Sequence, residues 1–438
     1  MKKKYVWNFA LWASGRDFRK EYHQLKLVNS PDTYLRKLLL HAYHNVPYYT
    51  EILEETGIVK NDEVDLSRFC EMPILTKEII REQQEHLVSR DNKNRRRYYN
   101  SSGGSTGEPI RFIQDDSYAR WGNAALVFWY KNMLGIDEPE VMKVILWGSE
   151  RDLFQGGVGW KKKMAHWLTN TVFLNSFRMT EDDMVRYIER INSYKPDLIR
   201  GYAGSLYELC RYAETKGVKV YAPKAVVSSA EMLTDEMREK IEMVFCTKVY
   251  DYYGSRETNN IAGECREGFM HILNFHNYVE VLNSDNQPVK EGEEGRVIVT
   301  NLHNYSMPFI RYDIGDMAVP GLEECKCGSH LPTLGKITGR VTERFIREDG
   351  AIMSGAALTL TFNLMEWVKE FQIIQEAYKK VRIVIVLKGS ENESDKKGIE
   401  DKMKILLGED CQIIWEFVSE IPRIQSGKYL YIRCLVQS

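Results

Sequence analysis

The chain has 438 residues, of which 43% are hydrophobic and 28% charged, an ordinary composition for a globular protein of two or three domains. Its 60 basic side chains nearly balance 62 acidic ones, which argues against a nucleic-acid-binding protein, because those usually carry a clear basic excess. No stretch approaches the roughly 18 apolar residues that a membrane span requires.

Eight cysteines are scattered along the chain without the density of a disulfide framework, which predicts reduced thiols. The amino terminus has three lysines and then an apolar run, as a signal peptide does. The run is short and contains Asn8, so we expect no cleaved signal. These features together predict a cytoplasmic protein.

The first ninety residues predict helices, with Leu35, Leu38, Leu39 and Tyr43 at helical spacing. Residues 83–100 are polar and predict a loop. The middle of the chain then alternates helices with strands, which favours parallel pairing in an α/β domain. The predicted strands are 198–200, 225–227 and 248–250, and the predicted helices begin at Thr180 (a capping box with Asp183), at Ser205 and at Thr234.

After residue 275 the pattern becomes rich in strands, as at 278–281 and 296–300. The tail has its own predicted strand at 381–387 and helix at 398–407, enough for a separate α+β domain. We therefore predict an α/β protein with mixed sheets and flanking helices in a large domain, residues 1–339, and a small mobile domain, residues 340–438.

A glycine-rich segment supplies the strongest local signal for chemistry. Its glycines allow tight turns that bring backbone N–H groups close to a phosphate, and its hydroxyls add donors. A flexible linker would have a similar composition, and no Gly-Lys-Ser/Thr closes the segment as in a Walker loop. The segment reads Ser101, Ser102, Gly103, Gly104, Ser105, Thr106, Gly107.

Five further short motifs follow in a fixed order, and each taken alone could be a turn or a surface charge. They are Ser229-Ala230-Glu231; Tyr252-Tyr253-Gly254-Ser255-Arg256-Glu257; Arg311-Tyr312-Asp313-Ile314-Gly315-Asp316; Gly339-Arg340; and Pro422-Arg423-Ile424-Gln425-Ser426-Gly427-Lys428. Taken together, they resemble the adenylate-forming superfamily of acyl-CoA synthetases, synthetase adenylation domains and luciferase.

The resemblance covers nearly the whole chain and is greatest to the phenylacetate–CoA ligases and their capsular polysaccharide (CapK-like) relatives. Segments 41–49, 73–77 and 201–206 are similar to that family. The stretch from Gly339 to Gly350 is more similar to the capsular branch.

The resemblance implies a nucleotide site. Ser102, Gly103, Gly104, Ser105, Thr106 and Gly107 would hold the β- and γ-phosphates of ATP. Glu257 would bind Mg²⁺, a hard cation that prefers carboxylate oxygen. Tyr253, within 252–255, would stack on adenine, and the backbone of Ser229, Ala230 and Glu231 would lie along the ring edge. Asp316 would bind the ribose hydroxyls and Arg340 would lie near the ribose and phosphate.

The resemblance also implies a catalytic lysine, Lys428, which would bridge the carboxylate and the α-phosphate, with Thr106 and Glu257 as further catalytic residues. The acyl pocket would draw on Trp147, Gly148, Ser149, Tyr202, Ala203 and Asn259. Two departures from the family pattern stand out. Glu108 occupies a position where many members have lysine, and Val341-Thr342-Glu343 replaces the usual acidic pair at the hinge.

Cys265, His271, Cys325 and Cys327 make up a second group of residues with chemical potential. Three thiols and one imidazole suit a closed, tetrahedral zinc site without a catalytic role. The Cys-x-Cys spacing is tighter than in the usual zinc knuckle, so buried cysteines without a metal remain the alternative.

The predicted function is ATP-dependent activation of a carboxylic acid to acyl-AMP, followed by acyl transfer to coenzyme A. One alternative is transfer to a sugar amine or hydroxyl in polysaccharide biosynthesis, and another is a non-catalytic nucleotide-binding scaffold. The expected partners are small molecules, with no nucleic acid and no membrane span, and a homodimer is possible.

Overall fold

The computed structural model describes residues 17–25, 30–102, 110–137, 141–147, 169–176, 179–290, 292–321, 325–340, 344–348, 352–354, 358, 361–362, 365–422 and 431–436. Predicted site residues outside these ranges are Gly103, Gly104, Ser105, Thr106, Gly107, Gly148, Ser149 and Lys428. Two compact units are present. The first runs to residue 314 and includes 318–336, and the second includes 315–317 and the described residues from 337 onward. The boundary between 339 and 340 stays a prediction.

Helices dominate the start of the first unit, as predicted. The helices are α1 (Arg19–Leu25), α2 (Asp32–Asn45), α3 (Pro47–Glu55) and α4 (Lys77–Glu82), with a 3₁₀ turn at Leu66–Glu71. A small hairpin of β1 (Val59–Lys60) and β2 (Glu63–Val64) interrupts them. In α2 the apolar residues Leu35, Leu38 and Leu39 are buried on one face, which explains the helical spacing.

A second hairpin, β3 (Arg97–Ser101) with β4 (Arg111–Asp115), brackets the glycine-rich segment. The loop prediction for residues 83–100 is therefore wrong from residue 97, because cross-strand pairing with β4 outweighs the polar local sequence. Asp115 caps the next helix, α5 (Asp116–Phe128), by accepting a hydrogen bond from the backbone of Tyr118 at 3.0 Å. A π-helical turn at Trp129–Met133 extends α5.

The centre of the first unit is a parallel sheet, as the alternation of helices and strands predicts. Its strands are β5 (Lys143–Leu146), β6 (Thr171–Leu174), β7 (Leu198–Tyr202), β8 (Ala225–Ser229) and β9 (Val249–Ser255). The connecting helices are α6 (Glu181–Tyr194), α7 (Ala203–Thr215) and α8 (Asp235–Phe245). The capping box predicted for Thr180 and Asp183 is present at the start of α6, and Thr234 caps α8.

Further strands extend the same sheet beyond β9. They are β10 (Asn259–Glu264), β11 (Met270–Ile272), β12 (Asn277–Leu282), β13 (Gly295–Asn301), β14 (Tyr312–Pro320) and β15 (Thr333–Arg340). The pairing is antiparallel for β9 with β10, β10 with β11, β11 with β15 and β12 with β13. The complete order is β12-β13-β14-β15-β11-β10-β9-β8-β7-β5-β6. This change from parallel to antiparallel pairing accounts for the strand-rich pattern after residue 275.

The second unit has a sheet of its own, with the order β20-β19-β18-β21. Its elements are β16 (Arg344–Ile346), β17 (Ile352–Ser354), β18 (Val368–Ala377), β19 (Lys380–Leu387), α9 (Glu393–Leu407), β20 (Gln412–Phe417) and β21 (Ile432–Cys434). Phe371, Ile383 and Ile399 pack in its core, so α9 covers the sheet. The strand predicted at 381–387 and the helix predicted at 398–407 are both present. No helix among the described residues could cross a membrane.

Candidate active site at the carboxyl ends of the parallel strands

Four neighbouring parallel strands end close to the residues that the sequence motifs single out. Trp147 directly follows β5, and Ala203 directly follows β7. Residues 229–231 follow or end β8, and β9 contains residues 252–255. In open α/β sheets, ligands bind outside the carboxyl ends of the strands, because loops of different strands meet there. The sheet therefore gathers predicted residues from distant parts of the chain at one edge.

The strand register places Tyr202, Ser229 and Tyr252 side by side on three adjacent strands. Paired residues of adjacent strands point to the same face of a sheet. The Tyr202 ring lies 4.1 Å from the Trp147 ring, centroid to centroid. The Ser229 hydroxyl donates to the backbone carbonyl of Tyr252 at 3.0 Å, which ties the ends of β8 and β9 together. Ala203 is fully buried at the start of α7.

The turn after β8 has an unusual backbone conformation. Ala230 has a φ of 70°, in the left-handed region that residues with a Cβ rarely occupy. Glu231 next to it accepts a hydrogen bond from the backbone N–H of Gly204 at 2.8 Å. This bond links the turn to the start of α7. Strain held in place by such contacts is typical of ligand-binding sites.

Buried side chains hold the turn between β9 and β10 by its carbonyl groups, and this turn carries Glu257. Gln114 on β4 donates to the carbonyls of Arg256 at 2.8 Å and Glu257 at 3.4 Å. The Tyr118 hydroxyl donates to the Arg256 carbonyl at 3.1 Å. Asn277 donates to the carbonyl of Thr258 at 3.0 Å. The backbone beneath the Glu257 carboxylate is thus fixed from several elements.

The glycine-rich segment is closed at its base by Ser102 and Ile110. The backbone N–H of Ser102 donates to the Ile110 carbonyl, and the N–H of Ile110 donates to the Ser102 hydroxyl, both at 3.0 Å. Because Gln114 lies on the β4 strand of the same hairpin, this base is joined to the Glu257 turn. Gly103, Gly104, Ser105, Thr106 and Gly107 lie outside the described residues.

Asn259 begins β10 with a φ of 63° and packs against α5. A Cβ on Gly122 would lie only 2.1 Å from Asn259 Nδ2, so the glycine makes room for this side chain. Asp316 is nearly buried on β14, and Arg340 is the last residue of β15. The nucleotide roles of Asp316, Arg340 and Lys428 stay predictions.

The predicted zinc ligands converge in the first unit. His271 lies on β11, Cys265 directly follows β10, and Cys325 and Cys327 lie in the segment before β15. The candidate ligand atoms of Cys265, His271, Cys325 and Cys327 all lie within 4.8 Å of one another. Cys265 Sγ lies 3.6 Å from Cys325 Sγ, and Cys327 Sγ lies 3.3 Å from His271 Nε2. His271 Nδ1 lies 3.0 Å from the Leu331 carbonyl, the outer-shell contact that orients a ligating imidazole through its other nitrogen.

Burial affects the protonation of this Cys/His cluster. It raises the pKa of the Cys265 thiol to about 12 and lowers the pKa of His271. The imidazole is therefore held neutral, as a metal ligand must be. A metal ion bound there would have to displace the thiol protons, so its affinity would depend on pH.

Two buried residues make long-range contacts that the sequence motifs do not predict. Gln114 lies in an unremarkable polar stretch, and its partners are 142 and 143 residues away. Arg311 belongs to a motif, but its contacts could not be read from it. It is 1% exposed, pairs with Glu280 at 3.0–3.1 Å and donates to the carbonyls of Cys70 and Met72.

Comparisons with known proteins agree with this architecture. Residues 345–434 match a family model described as the CapK C-terminal domain. Protein CapK of Staphylococcus aureus is 24% identical over 402 residues, which is 88% of this chain and 84% of CapK. A phenylacetate–coenzyme A ligase of Thermus thermophilus is 25% identical over 360 residues, 78% of this chain and 76% of that enzyme.

A solved structure of 2-hydroxyisobutyryl-CoA ligase in the postadenylation state is similar to this chain with a TM-score of 0.67. The identity is 19%, and the match covers 91% of this chain and 88% of that one. Such a likeness shows the fold. The predicted fold class and the predicted resemblance are both confirmed.

Proposed function

We propose that this chain, an adenylate-forming ligase related to CapK and the phenylacetate–CoA ligases, converts a carboxylic acid and ATP into acyl-AMP and pyrophosphate and then transfers the acyl group. The observation that carries this proposal is the fixed Glu257 turn, joined through Gln114 to the base of the glycine-rich segment. A rigid link between a carboxylate and a phosphate-binding segment suits phosphoryl chemistry, in which positioning supplies much of the catalysis.

In this proposal different residues bind the phosphates, the adenine and the ribose of ATP. The segment from Ser102 to Gly107 holds the β- and γ-phosphates, and Glu257 holds Mg²⁺, which neutralises phosphate charge when bound. Tyr253 stacks on adenine beside the backbone of 229–231. The left-handed conformation of Ala230 supports the role of this backbone, because it turns N–H and C=O groups away from the hydrogen bonds between the strands. Asp316 accepts from the ribose hydroxyls, and Arg340 lies near the ribose.

In the first half-reaction a carboxylate oxygen attacks the α-phosphorus, and the bond to the pyrophosphate oxygen breaks. Lys428 bridges the carboxylate and the α-phosphate and offsets the charge that gathers there. Trp147, Gly148, Ser149, Tyr202, Ala203 and Asn259 line the acyl pocket. In the second half-reaction a nucleophile attacks the acyl carbon and AMP leaves.

Coenzyme A is the acceptor that we propose, and two relatives support it. The Thermus thermophilus relative is a coenzyme A ligase, and so is the enzyme of the similar solved structure. The match of residues 345–434 to the CapK C-terminal domain favours a second candidate, in which a sugar amine or hydroxyl accepts the acyl group. The two differ in whether added coenzyme A is acylated.

We also propose a structural Zn²⁺ at Cys265, His271, Cys325 and Cys327. The donor set fits a closed tetrahedral site, and the spacing of the ligand atoms leaves them close enough to share one ion. Such an ion would tie β10 and β11 to the segment before β15, with no part in the reaction.

Lys428→Ala tests the function by separating the half-reactions. We expect the rate of acyl-AMP formation to fall by ~10²–10³ or more, as for the loss of a preorganised charge. ATP–pyrophosphate exchange with a panel of acids measures this rate. Transfer from supplied acyl-AMP should stay within a few-fold of the unmodified protein. The matched control is Lys397→Ala, an exposed lysine on α9 of the second unit. Exchange at the normal rate in Lys428→Ala, or no exchange with any acid in the unmodified protein, would refute the proposal.

A further inference from the structure

Arg200 lies in the middle of β7, among the strands that carry the candidate acyl pocket. Its register partners are Ile145 on β5 and Val227 on β8. Two residues farther along, Tyr202 pairs with Ser229, which in turn pairs with Tyr252. Because side chains alternate along a strand, Arg200 points to the same face of the sheet as Tyr202 and Tyr252. That face also holds the Trp147 ring, which contacts Tyr202.

The guanidinium of Arg200 is next to two aromatic rings. Its Cζ lies 5.1 Å from the centroid of the Tyr252 ring and 5.7 Å from that of Trp147, both within cation–π range. Arginine stacks readily on aromatic faces, and this leaves its planar N–H fork available to an acceptor. The rings therefore hold the guanidinium in place without using its hydrogen-bond donors.

Two polar groups on this face lack partners within the described part of the chain. Arg200 Nε is buried without a hydrogen bond, and so is the hydroxyl of Tyr252, a side chain that is 2% exposed. Buried polar groups are almost always paired in folded proteins, because leaving one unpaired costs free energy. Two such groups on one face of the sheet, with the Arg200 guanidinium against the Tyr252 ring, indicate a place where a ligand supplies the missing acceptor.

We propose that Arg200 determines acid specificity and binds a second anionic group, such as a carboxylate, at the far end of the acid that is activated. The inference rests on the proposed function, since it assigns a substrate class to the same pocket. A carboxylate matches the guanidinium fork in two parallel hydrogen bonds, and charge-assisted bonds of this kind are the strong ones. An acid with an apolar tail would leave the buried Nε of the half-buried Arg200 without an acceptor among the described residues.

The aromatic neighbours strengthen this preference. Trp147 and Tyr252 keep water from the guanidinium on the sides that they cover, and a lower local dielectric makes an ion pair stronger. Their apolar ring faces also suit contact with the apolar linker between the two acidic groups of the substrate. The preferred acid thus has a reacting carboxylate near the nucleotide and a second one at Arg200.

The test compares acids of equal length that differ in one end group, namely succinate with butanoate, adipate with hexanoate, and terephthalate with 4-methylbenzoate. ATP–pyrophosphate exchange gives kcat/KM for each, and calorimetry without ATP gives the affinity. The unmodified protein should prefer one diacid over its monoacid by about tenfold to hundredfold, the range for a hydrogen bond to a charged group. Arg200→Gln should lose that preference, and Arg200→Lys should retain part of it. The control is Arg190→Gln, an exposed arginine 5.5 Å from the Tyr194 ring.

Calorimetry separates this inference from the proposed function. If a diacid binds in an Arg200-dependent way but no acid supports exchange, the specificity inference stands and the adenylation proposal falls. If exchange occurs and monoacids are used as well as diacids, or if Arg200→Gln leaves the ratio unchanged, the specificity inference is wrong while adenylation stands. If no diacid binds more tightly than its monoacid and no exchange is seen, both are wrong.

Discussion

Arg311 and Arg200 are both arginines of the central sheet region, and their surroundings are opposite. Arg311 is fully enclosed, and its donors are taken by the Glu280 carboxylate and the carbonyls of Cys70 and Met72. Arg200 is half-buried, lies against two rings, and has a buried Nε without a partner among the described residues. A guanidinium that donates from all three of its nitrogens to protein acceptors holds the fold together, whereas one with a buried nitrogen left over is available to a ligand.

The largest expected effect on stability comes from the region around Arg311. Arg311→Ala leaves the buried Glu280 carboxylate and two carbonyls unpaired, so we expect the free energy of unfolding to fall by about 3–5 kcal/mol. Chemical denaturation measures it. Arg68→Ala is the control, because Arg68 pairs with Glu71 at the surface, where ion pairs contribute little to stability. Equal losses in the two variants would contradict the structural role of Arg311.

The Cys/His cluster extends the comparison to groups for which we propose a metal ion as the partner. Protein purified without an affinity tag should contain about one zinc per chain by elemental analysis, and Cys327→Ser should lose most of it and melt at a lower temperature. Cys246→Ser changes an exposed cysteine and serves as the control. Metal-free protein with full stability would leave the cluster as buried thiols only.

Gln114 is an intermediate case, because its side-chain hydrogen bonds are satisfied within the protein and it supports the turn for which we propose a Mg²⁺ role. Gln114→Leu removes the donor to the Arg256 and Glu257 carbonyls, and we expect a loss of about 1–3 kcal/mol in the free energy of unfolding. The KM for MgATP should rise several-fold, because the Glu257 carboxylate loses its fixed support. Gln412→Leu, at an exposed position on β20, should change neither. An unchanged KM for MgATP would contradict a role for Gln114 in nucleotide binding.

The smallest stability change is expected at Arg200. Arg200→Leu replaces a half-buried charge, whose Nε has no acceptor among the described residues, with an apolar side chain. The free energy of unfolding should therefore change by no more than about 1 kcal/mol in either direction. Denaturation under the conditions used for Arg311→Ala gives the direct comparison. A loss as large as that of Arg311→Ala would mean that Arg200 is structural and would remove the contrast between the two residues.

Short-range sequence patterns predicted the positions of the central strands and the start of one helix. Apolar runs located β7, β8 and β9, and the Thr180–Asp183 box located the start of α6. The strand β3 was missed because its polar residues pair with β4 across the glycine-rich segment, and that pairing is invisible in a single run of sequence.

The motif residues of the candidate site could be predicted from the sequence, but the residues that hold them in place through long-range hydrogen bonds could not. Tyr202, Ser229 and Tyr252 could be picked out from the resemblance, but their neighbourhood depends on strand register. The interactions of Gln114 with Glu257, and of Arg311 with Glu280, join residues far apart in the chain. A side chain that bonds to a backbone carbonyl also leaves no signature, because every residue offers that carbonyl.

The two hydrogen bonds between Ser102 and Ile110 join β3 to the start of β4 at the base of the glycine-rich segment. They close the hairpin on its own side of the segment, so the β3–β4 register does not depend on which residues stand between them. If the proposed function holds, we expect substitutions between 103 and 109 to change nucleotide binding while the Ser102–Ile110 hydrogen bonds keep the base of the hairpin. For protein engineering this offers a place to exchange phosphate-binding sequences in a scaffold that stays constant.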